Sequence, residues 1–484
     1  MKRIITIAIL FATVAVYAQD KVTQKIIELG TTDNRTMVHE DFLANRIGGR
    51  PVGSHALEDA EKWVASQFKS WGLEVMVQEA GEINVGFNRG PWYGRMLGGE
   101  GMTLHFGTPG YTAGTKGPQK GHVLIEPKNR RELERMKGAL KGAWVLIGGT
   151  SNGMALDWSE AADQRRAAVA DTNGYEPALF YREMVEAGVL GFIQSAKLPL
   201  QILYDRANCY KITMDNLPTV CDIKLDENQY KVIEKMALEM QDFQLEFDIR
   251  NHFNAGPVKY HNVIGIIRGS KYPDEYVLMG GHLDAYDVAC GAVDDANGTV
   301  VALEAARLMA MSGAKPARSI MFCIWTGEEY GLLGSKHFVE NKTIPWDKIS
   351  NYFNRDGGPT AATGISVPEA MYEDFVKVCK PILNLNPEMP FTVSKREKPQ
   401  ERPTRAGGSD HAYFAMNGIP AISFTESDPK GYNFNYRKIW HTESDLYPEV
   451  IPEYLEHSAV VSAVVVYGIA NLNHLLSRDG LWKE

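Results

Sequence analysis

The sequence predicts an α/β protein, a mainly parallel sheet flanked by helices with a smaller α/β unit inserted into it. Beyond Pro218, apolar strand-like runs alternate with helical segments, the pattern of parallel strands joined by helical crossovers. Between Gly121 and Pro218 a second series reads VLIEP, RRELERMKGAL, AWVLIGG, ALFYREMVEAG and VLGFIQ, again strand and helix in turn. A chain of 484 residues, 44% hydrophobic and 23% charged, is long enough for more than one folded domain and has no collagen, coiled-coil or disordered character. Its 60 acidic against 51 basic residues argue against a nucleic-acid binder.

Taken in order, Lys2 and Arg3 precede an apolar run from Ile4 to Val16, and Val16 and Ala18 set small residues before Gln19. Residues 1–18 therefore read as a cleaved leader, and the expected location is secreted or periplasmic. The run is too short for a membrane span. From Ser54 to Trp71, Leu57, Ala60, Val64, Phe68 and Trp71 recur at helical spacing and Gly72 stops the helix. Leu73 to Val77 alternates like a strand, and the Gly-rich stretch from about Asn88 to Lys120 reads as an irregular boundary. The expected division is 19–118, an insert at 119–218, and 219–484. The insert has no clustered histidines and acids, which leaves it a lid, substrate-shaping or interaction role, with a passive insertion as the alternative. Ser458 to Ala470 is almost wholly apolar and reads as a buried core helix. Five cysteines without a CxxC pair disfavour a cysteine-zinc site; Cys209 and Cys221 suit either a disulfide or two reduced core residues.

The chemistry is concentrated after Tyr276. The strand YVLMGGHLD delivers His282, with Asp284 two residues on and on the same side. Imidazole can ligate a metal while a nearby carboxylate orients the ring, although HxD alone is a weak signal. GAVDDANG then places Asp294 and Asp295 side by side before a helix, where they could equally cap free N–H groups. The strand RSIMFCIWT ends in Gly327-Glu328-Glu329, and adjacent glutamates repel unless a cation or proton separates their roles. A metal ligand beside a general base resolves that conflict. Asp356 follows the strand from Ile349 to Arg355, and His441 follows an aromatic stretch. Ligands in open α/β sheets gather outside the carboxyl ends of the strands, where this set falls.

In order, GGHLD, GAVDDANG, WTGEE, NRDGG and WHTESD resemble the signature of the co-catalytic zinc exopeptidases of clan MH. The likeness extends to GGRPVGSHALEDAEKWVASQFKSWGLE and to the insert, which resembles a protease-associated domain. The resemblance implies the zinc exopeptidase fold and two Zn²⁺ ions bridged by Asp294. His282 and Asp356 would complete one site, and Glu329 and His441 the other. Glu328 would be the general base and Asp284 the carboxylate behind His282, with Asp295 shaping the loop without ligating. It also implies a peptide substrate and a homodimer. Two divalent ions with three carboxylates and two neutral imidazoles keep a charge of about +1, enough to activate water near neutral pH. Oxygen and nitrogen ligation also suits Mn²⁺ or Co²⁺. Arg355 departs from the aliphatic or acidic residue frequent before the third-strand aspartate.

For substrate contacts, Asp410 in GGSDH is a candidate for a free α-amino group, against a helix-capping role for Ser409 or Asp410. Arg437 or Lys438, in YNFNYRK, is a candidate for a substrate carboxylate, against a solvated loop. The expected activity is hydrolysis of unblocked dipeptides or short peptides. An aminopeptidase on longer chains, a single-zinc cyclotransferase and a binding module on an inactive peptidase fold are the alternatives.

Overall fold

In the computed structural model, which describes residues 21–157, 159–203 and 209–483, an eight-stranded sheet runs in the order Ala421–Ile422, Ile349–Asn354, Tyr272–His282, Arg318–Trp325, Gln244–Ile267, Glu74–Leu97 and Met102–Thr103, with Gln119–Gly121 beside Gln244–Ile267. The leader read at 1–18 lies outside the described residues. The first four strands are mutually parallel and the remainder antiparallel. Parallel strands are covered on both faces and so read as continuous apolar runs. Every residue of Arg318–Trp325 and Ile349–Asn354 is accordingly buried. Alternate side chains enter different layers: Val277, Met279, Phe322 and Ile324 pack with helices Asn297–Met311 and Pro452–Ala470, whereas Leu278, Met321 and Trp325 meet Phe338 and Phe414. Among the described residues no helix is long and apolar enough to cross a membrane.

Ser54 caps helix His55–Ser70 by accepting from the Leu57 amide at 3.1 Å, and Leu57, Ala60, Val64 and Phe68 are its buried face. The following strand corrects one expectation. It does not turn irregular at Asn88 but continues to Leu97, paired throughout with Gln244–Ile267. Register shifts at Glu79/Gly81, Ile83/Val85 and Arg89/Trp92 absorb the residues that read as breakers, with Gly90 and Pro91 inside the last of them.

A five-stranded sheet holds the second unit, in the order Phe106–Gly107, Cys221–Asp226, Gly191–Ala196, Trp144–Thr150 and Val123–Ile125. Its strand Cys221–Asp226 lies just past Pro218, where the sequence placed the return to the main unit. Strands Glu74–Leu97 and Gln244–Ile267 form a long antiparallel ribbon that ties the two units together. Leu245, Phe247 and Ile249 from its far end pack with Trp144, Leu146, Ile193 and Ile223, and Trp144 Nε1 donates to the Leu245 carbonyl at 3.1 Å. Helix Glu160–Asp171 carried no apolar stripe to announce it, since only Ala162 and Arg166 are buried. Cys209 and Cys221 are both buried, belong to separate cores and are not disulfide-bonded to each other.

Candidate metal centre

Parallel register brings the chemistry to one edge. His282, the last residue of its strand, lies opposite Trp325, and Gly280 lies opposite Asn354. Glu329 and Asp356 follow those two neighbouring strands by a few residues and emerge beside His282. Asp294 comes from the turn Ala292–Ala296 that leads into helix Asn297–Met311. Glycine permits the convergence: a Cβ on Gly281 would stand 2.5 Å from Asp295 Oδ2 and 2.6 Å from the Arg355 carbonyl, and one on Gly298 would stand 2.3 Å from that carbonyl. His441 arrives from a loop beyond the short helix Tyr436–Ile439, with its backbone at φ 58° in the left-handed region.

The donors fall into two groups that share one residue. Ligand atoms of His282, Asp294 and Asp356 lie within 4.8 Å of one another, as do those of Asp294, Glu329 and His441. His282 Nε2 is 3.4 Å from Asp294 Oδ1 and 3.8 Å from Asp356 Oδ2. His441 Nε2 is 3.4 Å from Asp294 Oδ2 and 3.0 Å from Glu329 Oε2. Donors about 2.0–2.1 Å from a tetrahedral ion stand roughly 3.4 Å apart, so this set fits two such ions with Asp294 offering one oxygen to each. His282 Nδ1 lies 2.9 Å from the Asp284 carbonyl oxygen. With the proton on Nδ1, Nε2 presents its lone pair to the acids, as a ligating imidazole does.

The supporting shell differs in part from expectation. The Asp284 carboxylate stands 3.8 Å from His282 Nδ1, and its carbonyl is the nearer partner. Its two oxygens instead accept from the amides of Glu328 at 3.0 Å and Glu329 at 3.1 Å, which fixes the turn carrying both glutamates. Asp295 turns away from the donor groups to accept from the His282 amide at 3.1 Å and the Gly298 amide at 2.9 Å. Arg355 also points away, pairing with Glu426 at 2.8 Å.

Sequence reasoning did not single out three residues at this site. Arg50, fully buried, donates to the carbonyls of Leu283 at 2.6 Å, Gly48 at 2.5 Å and Gly291 at 2.9 Å, joining the His282 strand end to the Asp294 turn. Asp445 accepts from the Val293 amide at 2.6 Å and the Asp294 amide at 3.3 Å. Tyr436 lines the cavity beside Asp294. The available signals were the motifs GGRPVG and WHTESD and the aromatic run before His441.

The electrostatics is that of many acids in little water. Burial, with repulsion from Glu329, Asp356 and Asp410, pushes the Glu328 carboxyl well above the usual range despite the attraction of His282. Burial and Asp294 raise Asp356. Burial acts against Asp294 as well, but its hydrogen bond to His282 and the charges of His282 and His441 hold it low. Burial and Asp294 bring Asp445 up to about 7. A bound cation would relieve the repulsion among these buried carboxylates.

A cavity of about 490 Å³ opens onto the cluster, lined by Asp294, Glu328, Glu329, Asp356 and His441 together with Gly331, Leu332, Ala406–Gly408, Tyr436 and Trp440. The two expected substrate contacts are not on its wall. Asp410 is fully buried and accepts from the Ser335 hydroxyl. Burial, which favours its neutral form, carries it to about 7. Arg437 is exposed on the outer side of its short helix, and Lys438 lines a neighbouring hollow of about 750 Å³ instead. Tyr436 is what that stretch contributes, with Trp440 just beyond it.

Residues 262–466 match the model of Peptidase family M28. Carboxypeptidase Q of Mus musculus is 25% identical over 488 residues, spanning 95% of this chain and 91% of its own; that of Rattus norvegicus is 27% identical over the same shares. Among solved structures, a peptidase M28 precursor from Shewanella amazonensis superposes over 95% of this chain and 98% of its own, with a TM-score of 0.58 and 18% identity. BSAP, a zinc aminopeptidase from Bacillus subtilis, covers 93% and 97%, with a TM-score of 0.55 and 17% identity. These two share the fold.

Proposed function

We propose that this chain, a member of peptidase family M28 through residues 262–466, is a metallo-exopeptidase that holds two zinc ions and hydrolyses short unblocked peptides, dipeptides foremost. One observation carries the reading: Asp294 presents one oxygen to the His282 and Asp356 group and the other to the Glu329 and His441 group. His282, Asp294 and Asp356 would hold one ion, and Asp294, Glu329 and His441 the second. When bound, such ions bring the pKa of a coordinated water towards neutrality and polarise the scissile carbonyl.

The remaining work falls to the chain's own side chains. Glu328 faces the cavity and belongs to neither donor group, which suits it to take the proton of the attacking water and return it to the leaving amine. Asp284 holds the Glu328 and Glu329 amides, so that one glutamate stays a base while its neighbour stays a ligand. Tyr436 is the hydroxyl available to the oxygen that gains charge as the carbonyl is attacked. Trp440 and Leu332 give the cavity apolar wall against which a short peptide packs.

The test is amine release from dipeptides that are unblocked, N-blocked or C-blocked, with zinc present. Cleavage of unblocked dipeptides, with N-blocked ones much poorer, supports the reading; equal cleavage of long peptides blocked at both ends rules out an exopeptidase. The leader pattern at 1–18 supports secretion or a periplasmic location, and the exported protein should then begin at about Gln19 by mass analysis.

A further inference from the structure

Among the proposed donors, His441 has the least support from the main sheet. His282 ends a central strand, Glu329 and Asp356 closely follow two others, and Asp294 leads into a buried helix. His441 lies in a loop with a left-handed backbone, a conformation that is strained for a non-glycine residue and persists only where its surroundings impose it. Local bonds, such as that from the Thr442 amide to the Ile439 carbonyl at 2.9 Å, hold it in part, and the rest of its support comes from the five-stranded unit. The Ile202 amide donates to the His441 carbonyl at 3.2 Å, the Glu443 amide donates to the Leu200 carbonyl at 2.9 Å, and Gln201 and Thr442 face each other in an antiparallel bridge.

A side chain locks the same junction. Glu443 Oε1 accepts from the Leu200 amide at 2.9 Å, and its Oε2 meets His105 Nε2 at 2.6 Å. His105 directly precedes strand Phe106–Gly107, and Leu200 to Ile202 follow strand Gly191–Ala196, so both partners are carried by the second unit. The segment is seated there as well: Leu200 and Ile202 are buried, and Ile202 presses so closely on Gly107 that a Cβ would stand 2.9 Å from it.

We infer that the five-stranded unit is a positioning element for the metal centre, fixing His441 through the clasp between Leu200–Ile202 and His441–Glu443, with Glu443 as the positioning side chain. This gives the insert a task other than a lid or passive decoration, and it rests on His441 being a ligand as proposed above. Side chains that orient a ligand without touching the ion typically change metal affinity 10–100-fold when removed.

The experiment uses the full chain, stripped by chelation and reloaded with Zn²⁺ against a chromophoric competitor, with the visible spectrum of the Co²⁺ form as a second readout. Glu443→Ala should weaken one of two metal equivalents about 10–100-fold, leave the other unchanged and alter the cobalt spectrum, while kcat returns at saturating zinc. Glu443→Gln keeps an acceptor for the Leu200 amide and should load close to wild type. His105→Ala, a change at a half-exposed position that removes one end of the lock, should weaken the same equivalent less and serves if Glu443→Ala does not fold. If Glu443→Ala and His105→Ala both load as wild type, the clasp does not position the ligand. His441→Ala separates the two levels: if it still binds two equivalents, His441 is not a ligand and the underlying assignment fails with the inference.

Discussion

The two sides of the candidate centre are built by different means. The His282 and Asp356 side stands on neighbouring parallel strands whose backbone is fixed by sheet hydrogen bonds and whose side chains lie in the main core. The His441 side depends on a loop, a left-handed residue and contacts made by a second unit about 240 residues earlier in the chain. A ligand on a strand end inherits its position from the fold, whereas a ligand on a loop needs a partner to supply one. The first kind can be read from a motif, and the second depends on tertiary contacts.

The largest effect should come from the residue common to both sides. Asp294→Asn removes the negative charge shared by the two groups, and activity should fall to that of the metal-free protein with both ions lost on dialysis, as followed by elemental content. Loss of only one ion would show that the sides are independent.

The adjacent glutamates sharpen the contrast further. Glu328→Gln keeps size and removes proton acceptance, so turnover should fall roughly 10²–10⁴-fold while metal content persists. Glu329→Gln should lose one ion together with its activity. Measured rates and occupancies showing the reverse pattern would exchange their roles.

A stability effect should mark the strand-end side. Arg50→Met strips donors from the carbonyls of Leu283, Gly48 and Gly291, at about 1–3 kcal/mol for each one left buried and unpaired. Denaturant unfolding of the metal-free protein should show the loss, and an unchanged midpoint would mean that the Arg50 contacts are dispensable.

The smallest effect concerns the clasp and pH. Burial alone would lower the His105 pKa, but the hydrogen bonds and charges of Glu443 and Asp226 raise it above its ordinary 6.5. A raised folded-state pKa means stability that is fully present below about 6.5 and is lost as pH rises through the higher folded value. The Tm gap between wild type and His105→Gln should therefore be widest near pH 5.5 and close towards pH 9; a gap that widens with pH would reverse the sign. Because His105 is half exposed, a shift of only a degree or two is expected.

Much of the site was legible because strand, turn and acid follow one another in a few residues: GGHLD and WTGEE each end a buried run in a polar cluster, and parallel register brings them together. Arg50 was not legible, since an arginine in GGRPVG reads as a solvated cation until its carbonyl partners are seen. Asp445 and Glu443 were hidden for the same reason, each acting on backbone distant in sequence. The ribbon from Glu74 to Leu97 was misread past Asn88 because glycine and proline there occupy bulges, which depend on the facing strand. Asp410 and Arg437 do not stand on the cavity wall, because local motif and charge do not reveal which side of a helix or loop faces the cavity.

The central claim, two ions sharing Asp294, is tested most directly by counting zinc in wild-type and Asp294→Asn protein after equilibration and removal of free metal. Two equivalents in wild type and none in Asp294→Asn is the expected result. A single equivalent in wild type, or two retained in Asp294→Asn, would contradict it.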